Sequence, residues 1–194
     1  MLRSSILTVL FAVALFPAAK AGYWLAKAEV AQVLIKRAWI NGAPDARPWP
    51  WADTQPVARL QIKQHNIDAL VLGGGNDHAL AFGPGLTNAS VAPGEAGITL
   101  IGAHRDTQFA SLQEIEIGTE IRLQGKDRQW HIYKVTELTI IDDAKHSLQN
   151  NVLQPTLVLT TCYPFDPLVM HSTQRLLVTA IVTEDRVVAR QKHS

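Results

Sequence analysis

"TLVLTTCYPFD", residues 156–166, holds the one cysteine of a 194-residue chain. Apolar and β-branched residues crowd its first positions, the composition of a strand, and Pro164 and Pro167 end it. Side chains alternate along an extended chain, so Val158, Thr160 and Cys162 share one face while Leu157, Leu159 and Thr161 share the other. Cys162 therefore closes a strand, at a rim that solvent can reach. A lone cysteine is more often a small buried apolar side chain than a reagent, so this position by itself leaves both roles open.

Working outward, similar runs recur: "VARLQI" (57–62), "DALVL" (68–72), "HALAF" (78–82), "GITLIGAH" (97–104), "EIRLQ" (120–124), "QWHIYKVTELTII" (129–141) and "QRLLVTAIV" (174–182). Each is rich in Val, Ile, Leu, Thr or aromatic residues. Turn chemistry separates them, in "GGGND", "GPGLTN", "APGEAG" and "GKDR". With the cysteine run these make eight short strands, and a chain with so little helix between strands removes exposed edges by closing a β-barrel. The segment "FASLQEIEIG" (109–118) is the expected short helical turn.

The first forty residues have a different character. Arg3 precedes an apolar run from Ile6 to Ala19, the layout of an export signal or of an anchor whose basic end stays in the cytoplasm. A span needs roughly 20 apolar residues, so anchoring requires the run to extend past Lys20, whose stem can snorkel. Cleavage after Ala19–Lys20–Ala21 is the competing outcome, and an uncleaved anchor is the expected one. From Tyr23 to Ile40 a helix is expected, with Trp24, Ala28, Ala31, Ile35 and Ala38 on one face and Glu29 and Lys36 opposite, acting as a stalk or docked on the domain. Gly42, Pro44, Pro48 and Pro50 end it. The layout is thus an anchor and helical stalk (1–40), a Pro/Trp-rich linker (41–56), the barrel (57–186) and a polar tail (187–194). Trp49 and Trp51 are expected to pack on the domain surface.

Formal net charge is +1, so nothing suggests an electrostatic footprint for nucleic acid. One cysteine forms no internal disulfide, and stability must come from burial. The histidines lack ligand spacing, and a single cysteine argues against structural zinc. Glu95, Asp142 and Asp143 are too sparse a set for calcium. No metal or cofactor is expected.

Two further residues stand where strands end. Ile98, Leu100, Gly102 and His104 share a face, which brings His104 to an exit, with Gly102 beside it leaving room for an approaching group. Arg175 opens the strand that follows the cysteine across one connection. If those strands pair, a guanidinium meets the thiol, where it would favour a thiolate or hold a developing oxyanion. An ordinary thiol is mostly protonated and an ordinary imidazole mostly neutral at pH 7, so such a pair needs help from its neighbours. Asp106, on the face of His104 if the strand continues, either favours the imidazolium or caps the next turn.

These residues together resemble the sortases, cysteine transpeptidases that act on surface proteins at the outer face of a cell membrane. "VLTTC" is similar to the family's Thr-Leu-x-Thr-Cys signature at Leu159, Thr161 and Cys162, with Val158 departing from it. "GAHRDTQF" resembles the histidine segment and "QRLLV" the arginine segment, while "RPWPWAD" with "HRDTQF" is similar to the type found in Gram-negative bacteria, class GN. The resemblance implies a mainly β, eight-stranded sortase-like barrel with a short helix and an N-terminal membrane-anchor helix. It implies catalytic roles for Cys162, His104 and Arg175, with Asp106 and Thr161 as secondary candidates. It also implies a substrate, an exported protein with a C-terminal sorting signal of Leu-Pro-x-Thr-Gly type, and an amine acceptor. The enzyme would sit in the inner membrane with its catalytic domain on the periplasmic side. A cysteine hydrolase on the same barrel and a tethered binding barrel with a merely buried Cys162 are the competing readings.

Overall fold

The computed structural model describes residues 2–43, 46–73, 77–142, 152–169 and 172–184. Asp143 and the 187–194 tail lie outside them. The strands are β1 (Gln55–Ile62), β2 (Ile67–Gly73), β3 (Gly85–Leu86), β4 (Gly97–Gly102), β5 (Glu120–Gln124), β6 (Trp130–Asp142), β7 (Pro155–Cys162) and β8 (Gln174–Glu184). They close a barrel in the order β1-β2-β3-β4-β7-β8-β6-β5. The β2–β3 and β4–β7 pairs are parallel and the others antiparallel.

Alternation in the sequence produces the interior directly. Along β1, Ala58, Leu60 and Ile62 are buried while Val57, Arg59 and Gln61 between them are not. Leu60, Ile62, Val71, Ile101, Leu123, Tyr133, Leu157, Leu159 and Val178 fill the barrel with Phe109. Burying each such Leu or Ile side chain contributes about 1.5–3 kcal/mol. The opposite faces of β4, β7 and β8 carry a second cluster of Ile98, Val158 and Leu177, joined by Leu100 and Ile141. Odd and even positions of these strands thus belong to different layers.

One turn shows why glycine is needed at a given place. Gly94 has φ +84°, and a Cβ there would fall 2.2 Å from Cε1 of His131. Its N–H donates to the hydroxyl of the fully buried Tyr133 at 3.0 Å. Positive φ and close approach of a ring both exclude a side chain.

A single helix, α1 (Leu2–Asn41), precedes the barrel. Ala31, Ile35, Ala38 and Trp39 are buried. Ile35 packs with Leu72 and Ala79, with Trp49, Leu70 and Phe82 around them. Gln32 donates to the carbonyl of Phe82 at 2.7 Å, and Arg128 stacks 4.2 Å over the Trp39 ring while donating to that residue's carbonyl. The end of the helix is therefore docked. Ala28, on the same face of the helix but nearer its start, is exposed, because only the last turns reach the barrel. Among the described residues no helix is long and apolar enough to cross a membrane.

Three expectations change. "HALAF" is not a strand: it includes a helical turn, α2 (Asp77–Leu80), with Ala79 buried under Ile35. It has no period-2 alternation, and Ala and Leu favour helix. The third strand instead lies in "GPGLTN", read as a turn, where Gly85 and Leu86 pair with Gly102 and Ile101. Trp49 packs edge-on against Phe82 at 5.6 Å, but Trp51 is 82% exposed. The expected short turn is present as a 3-10 helix at Ala110–Glu114.

Candidate active site

Parallel pairing of β4 and β7 sets Gly102 opposite Thr160. Two residues further along each strand direction come His104 and Cys162, at the same end of the barrel. The antiparallel strand β8 begins at that end, and its Arg175 is the direct partner of Cys162. Both cross-strand partners face the same side. The guanidinium Nη1 of Arg175 lies 2.7 Å from Sγ of Cys162. His104 is exposed, and it lines the same cleft of about 450 Å³ as Cys162 and Arg175.

Cys162 is half-buried, so the sulfur is neither in the core nor free in solvent. The arrangement offers a nucleophile, a fixed cation on it and an imidazole in one open cleft, which is the equipment of nucleophilic catalysis on a carbonyl. Among the described residues, no three of His, Cys, Asp and Glu converge to hold a metal ion.

The secondary candidates behave differently. Thr161 faces the interior, 3% exposed, and its hydroxyl donates to the carbonyl of Ala103 at 2.8 Å. With the Ala103 N–H on the carbonyl of Thr160 at 3.2 Å, it ties the end of β7, which carries Cys162, to the residue that follows β4 and precedes His104. Asp106 lines the cleft, but β4 stops at Gly102, so Asp106 is not on a continuing strand with His104. Its carboxylate lies 3.4 Å from Nε of Arg105.

Arg105, Ser172 and Thr173 also line the cleft and were not singled out from the sequence. Arg105 adjoins His104 in the chain, but a charged residue in a turn reads as solvated, and only its 8% exposure marks it as different. Glu95 accepts a hydrogen bond from the N–H of Ala92 within its own turn at 3.3 Å.

Known proteins resemble this chain in sequence and in fold. A family model described as "Sortase domain" matches residues 60–183. Sortase D of Bacillus subtilis (strain 168) is 32% identical over 109 residues, 55% of this chain and 54% of that protein, so the chain spans about half the length of this curated relative. Among solved structures, a Clostridium perfringens Sortase D5 transpeptidase superimposes with a TM-score of 0.60 at 19% identity, covering 67% of this chain and 80% of that one. Sortase A from Corynebacterium diphtheriae does so at 0.61 and 19%, covering 81% and 82%. At such identities the structural likeness carries the fold alone.

Proposed function

The chain belongs to the sortase family, the cysteine transpeptidases, and from that premise we propose that it cleaves a sorting peptide at Cys162 and passes the acyl group to an amine. The thiolate attacks a backbone carbonyl of a Leu-Pro-x-Thr-Gly-like signal near the C-terminus of an exported protein. Arg175 stabilises the thiolate and the oxyanion that forms. The C–N bond breaks as the imidazolium of His104 gives its proton to the departing amine, leaving a thioester on sulfur. An incoming amine then loses its proton to His104, attacks the thioester and releases the thiolate; water in its place gives hydrolysis.

The observation that carries this reading is the Arg175 guanidinium 2.7 Å from the sulfur, in a cleft that the imidazole also lines. The test is mass spectrometry of the protein with a panel of sorting peptides. A thioacyl adduct on Cys162, converted to an amide product by an added amine, is expected. No adduct with any peptide, while a thiol-alkylating reagent still reaches Cys162, overturns it.

Within the family we infer the type found in Gram-negative bacteria, supported by "RPWPWAD" and "HRDTQF". Its apolar run from Ile6 to Ala19, led by Arg3, supports retention in the inner membrane with the barrel on the periplasmic side. Membrane-purified protein is expected to keep the intact N-terminal mass, and protease added to spheroplasts is expected to digest the barrel. A mass corresponding to cleavage after Ala21 would refute anchoring.

A further inference from the structure

Arg105 is 8% exposed although His104 and Asp106 on either side of it are open to solvent. A guanidinium out of water is costly unless its N–H groups meet acceptors. Here Nη1 donates to the carbonyl of Pro164 and Nη2 to the carbonyl of Val169. Nε lies 3.4 Å from the carboxylate of Asp106. Both carbonyls belong to the connection that carries the chain from Cys162 to Arg175. One side chain therefore spans from the histidine turn to the segment joining the other two site residues.

The rest of the bonding makes this span significant. Thr161 and Ala103 fasten the strand ends, but those bonds stop one residue short of both His104 and Cys162. The histidine turn is internally braced, with the N–H groups of Thr107 and Phe109 on the carbonyl of His104 at 3.4 and 3.1 Å. Val169 and Leu168 are likewise held by Asp166, through its carbonyl and its carboxylate. Two self-braced loops are thus joined by the fork of Arg105.

We propose that Arg105 is a positioning residue: its guanidinium locks the β7–β8 connection onto the histidine turn and so sets the separation of the His104 imidazole from the Cys162 sulfur. This rests on the proposed function, since the separation matters only if both groups act on one peptide. A displacement of about 1 Å between reacting groups costs on the order of 100-fold in rate. A planar fork can donate to two carbonyls at once; an ammonium is a point charge and cannot reproduce that geometry.

The test uses Arg105→Gln and Arg105→Lys in the full chain, with active sites counted by alkylation of Cys162. Arg105→Gln is expected to lower kcat per titrated site about 100-fold with KM within about 3-fold, and Arg105→Lys to fall between it and wild type. A merely structural role would lower the number of titrated sites and leave kcat per site unchanged, which would overturn the proposal, as would a wild-type kcat in the lysine variant. Hydrogen exchange supplies a readout without turnover: amides of 163–169 should exchange faster in Arg105→Gln while those of 156–162 stay protected. If the wild-type protein forms no thioacyl adduct the catalytic reading fails by itself, whereas unchanged exchange at 163–169 refutes the lock.

Discussion

Cys162 and His104 each stand two residues past a facing pair, Thr160 and Gly102, on strands that run in the same direction. Parallel strands deliver their C-terminal ends to one rim, and an antiparallel neighbour begins there, which is how Arg175 comes to oppose Cys162. The arrangement follows from strand direction and needs no long loop to assemble it.

The pairing makes the thiol's partner testable. Cys162→Ala is expected to abolish peptide cleavage. Arg175→Lys should lose most activity, about 100-fold in kcat/KM, because an ammonium does not present the planar fork. Thermal midpoints of both variants should stay near wild type, since neither side chain belongs to the interior cluster. Near-normal cleavage by Arg175→Lys would mean that charge alone suffices.

Gly102 opposes Thr160 two residues before His104, and a Cβ there would lie 3.5 Å from Cγ2 of Thr160, an ordinary van der Waals distance. Gly102→Ala should therefore keep the thermal midpoint. A several-fold rise in KM for sorting peptides is expected if substrate crosses this strand. An unchanged KM would remove Gly102 from the substrate path.

Gly94→Ala should behave in the opposite way. Its Cβ would meet the His131 ring at 2.2 Å, on a backbone with φ +84°. A loss of at least about 2 kcal/mol in denaturant unfolding is expected, from strain and overpacking together. Wild-type stability would show that the ring moves aside freely.

Docking of α1 predicts that the helix adds to the stability of the barrel. Ile35 is 1% exposed, and Ile35→Ala should cost about 2–5 kcal/mol. Urea unfolding of the two proteins gives the comparison, and a difference under about 0.5 kcal/mol would mean that the helix and barrel unfold independently.

Asp68 provides a pH test at the same junction. Hydrogen bonds from Arg59 at 2.8 and 2.6 Å hold its carboxyl below the ordinary carboxylate range, with Gln61 assisting. A lowered folded-state value means a contribution present above the ordinary carboxylate pKa and lost as pH falls through the folded one. The side chains are 39% and 49% exposed, so screening keeps the effect to about 0.2–1 kcal/mol. Asp68→Asn should be less stable than wild type at pH 7, with the gap closing in strong acid and shrinking in high salt. A gap that persists in acid would assign it to packing.

Much of the barrel was readable from residue order because a strand with one wet and one dry face writes that difference at every second position. Leu157, Leu159 and Thr161 against Val158, Thr160 and Cys162 is such a record, and the sides observed agree with it. "HALAF" was misread because Ala and Leu carry no period-2 signal, and the two-residue strand at Gly85–Leu86 is too short to carry one. Helical periodicity marks the face that Ala28 shares with Ala31, Ile35 and Ala38 without saying how far along the helix the partner extends, and Ala28 lies beyond it.

The candidate residues Cys162, His104 and Arg175 were legible from residue type and their places at strand ends. Their convergence was not, since it depends on β4 pairing beside β7 in parallel across some 60 residues of sequence, a choice made by the packing of the whole barrel. The same holds for Arg105. Its charge in a turn says only that it is polar, and the two carbonyls that take it out of water arrive from a connection at least as far away in the chain. Local pattern decides which face a residue occupies, because alternation is a property of the strand alone. Which distant group it meets is decided only when strands choose neighbours, because that choice is settled by the burial of all of them together.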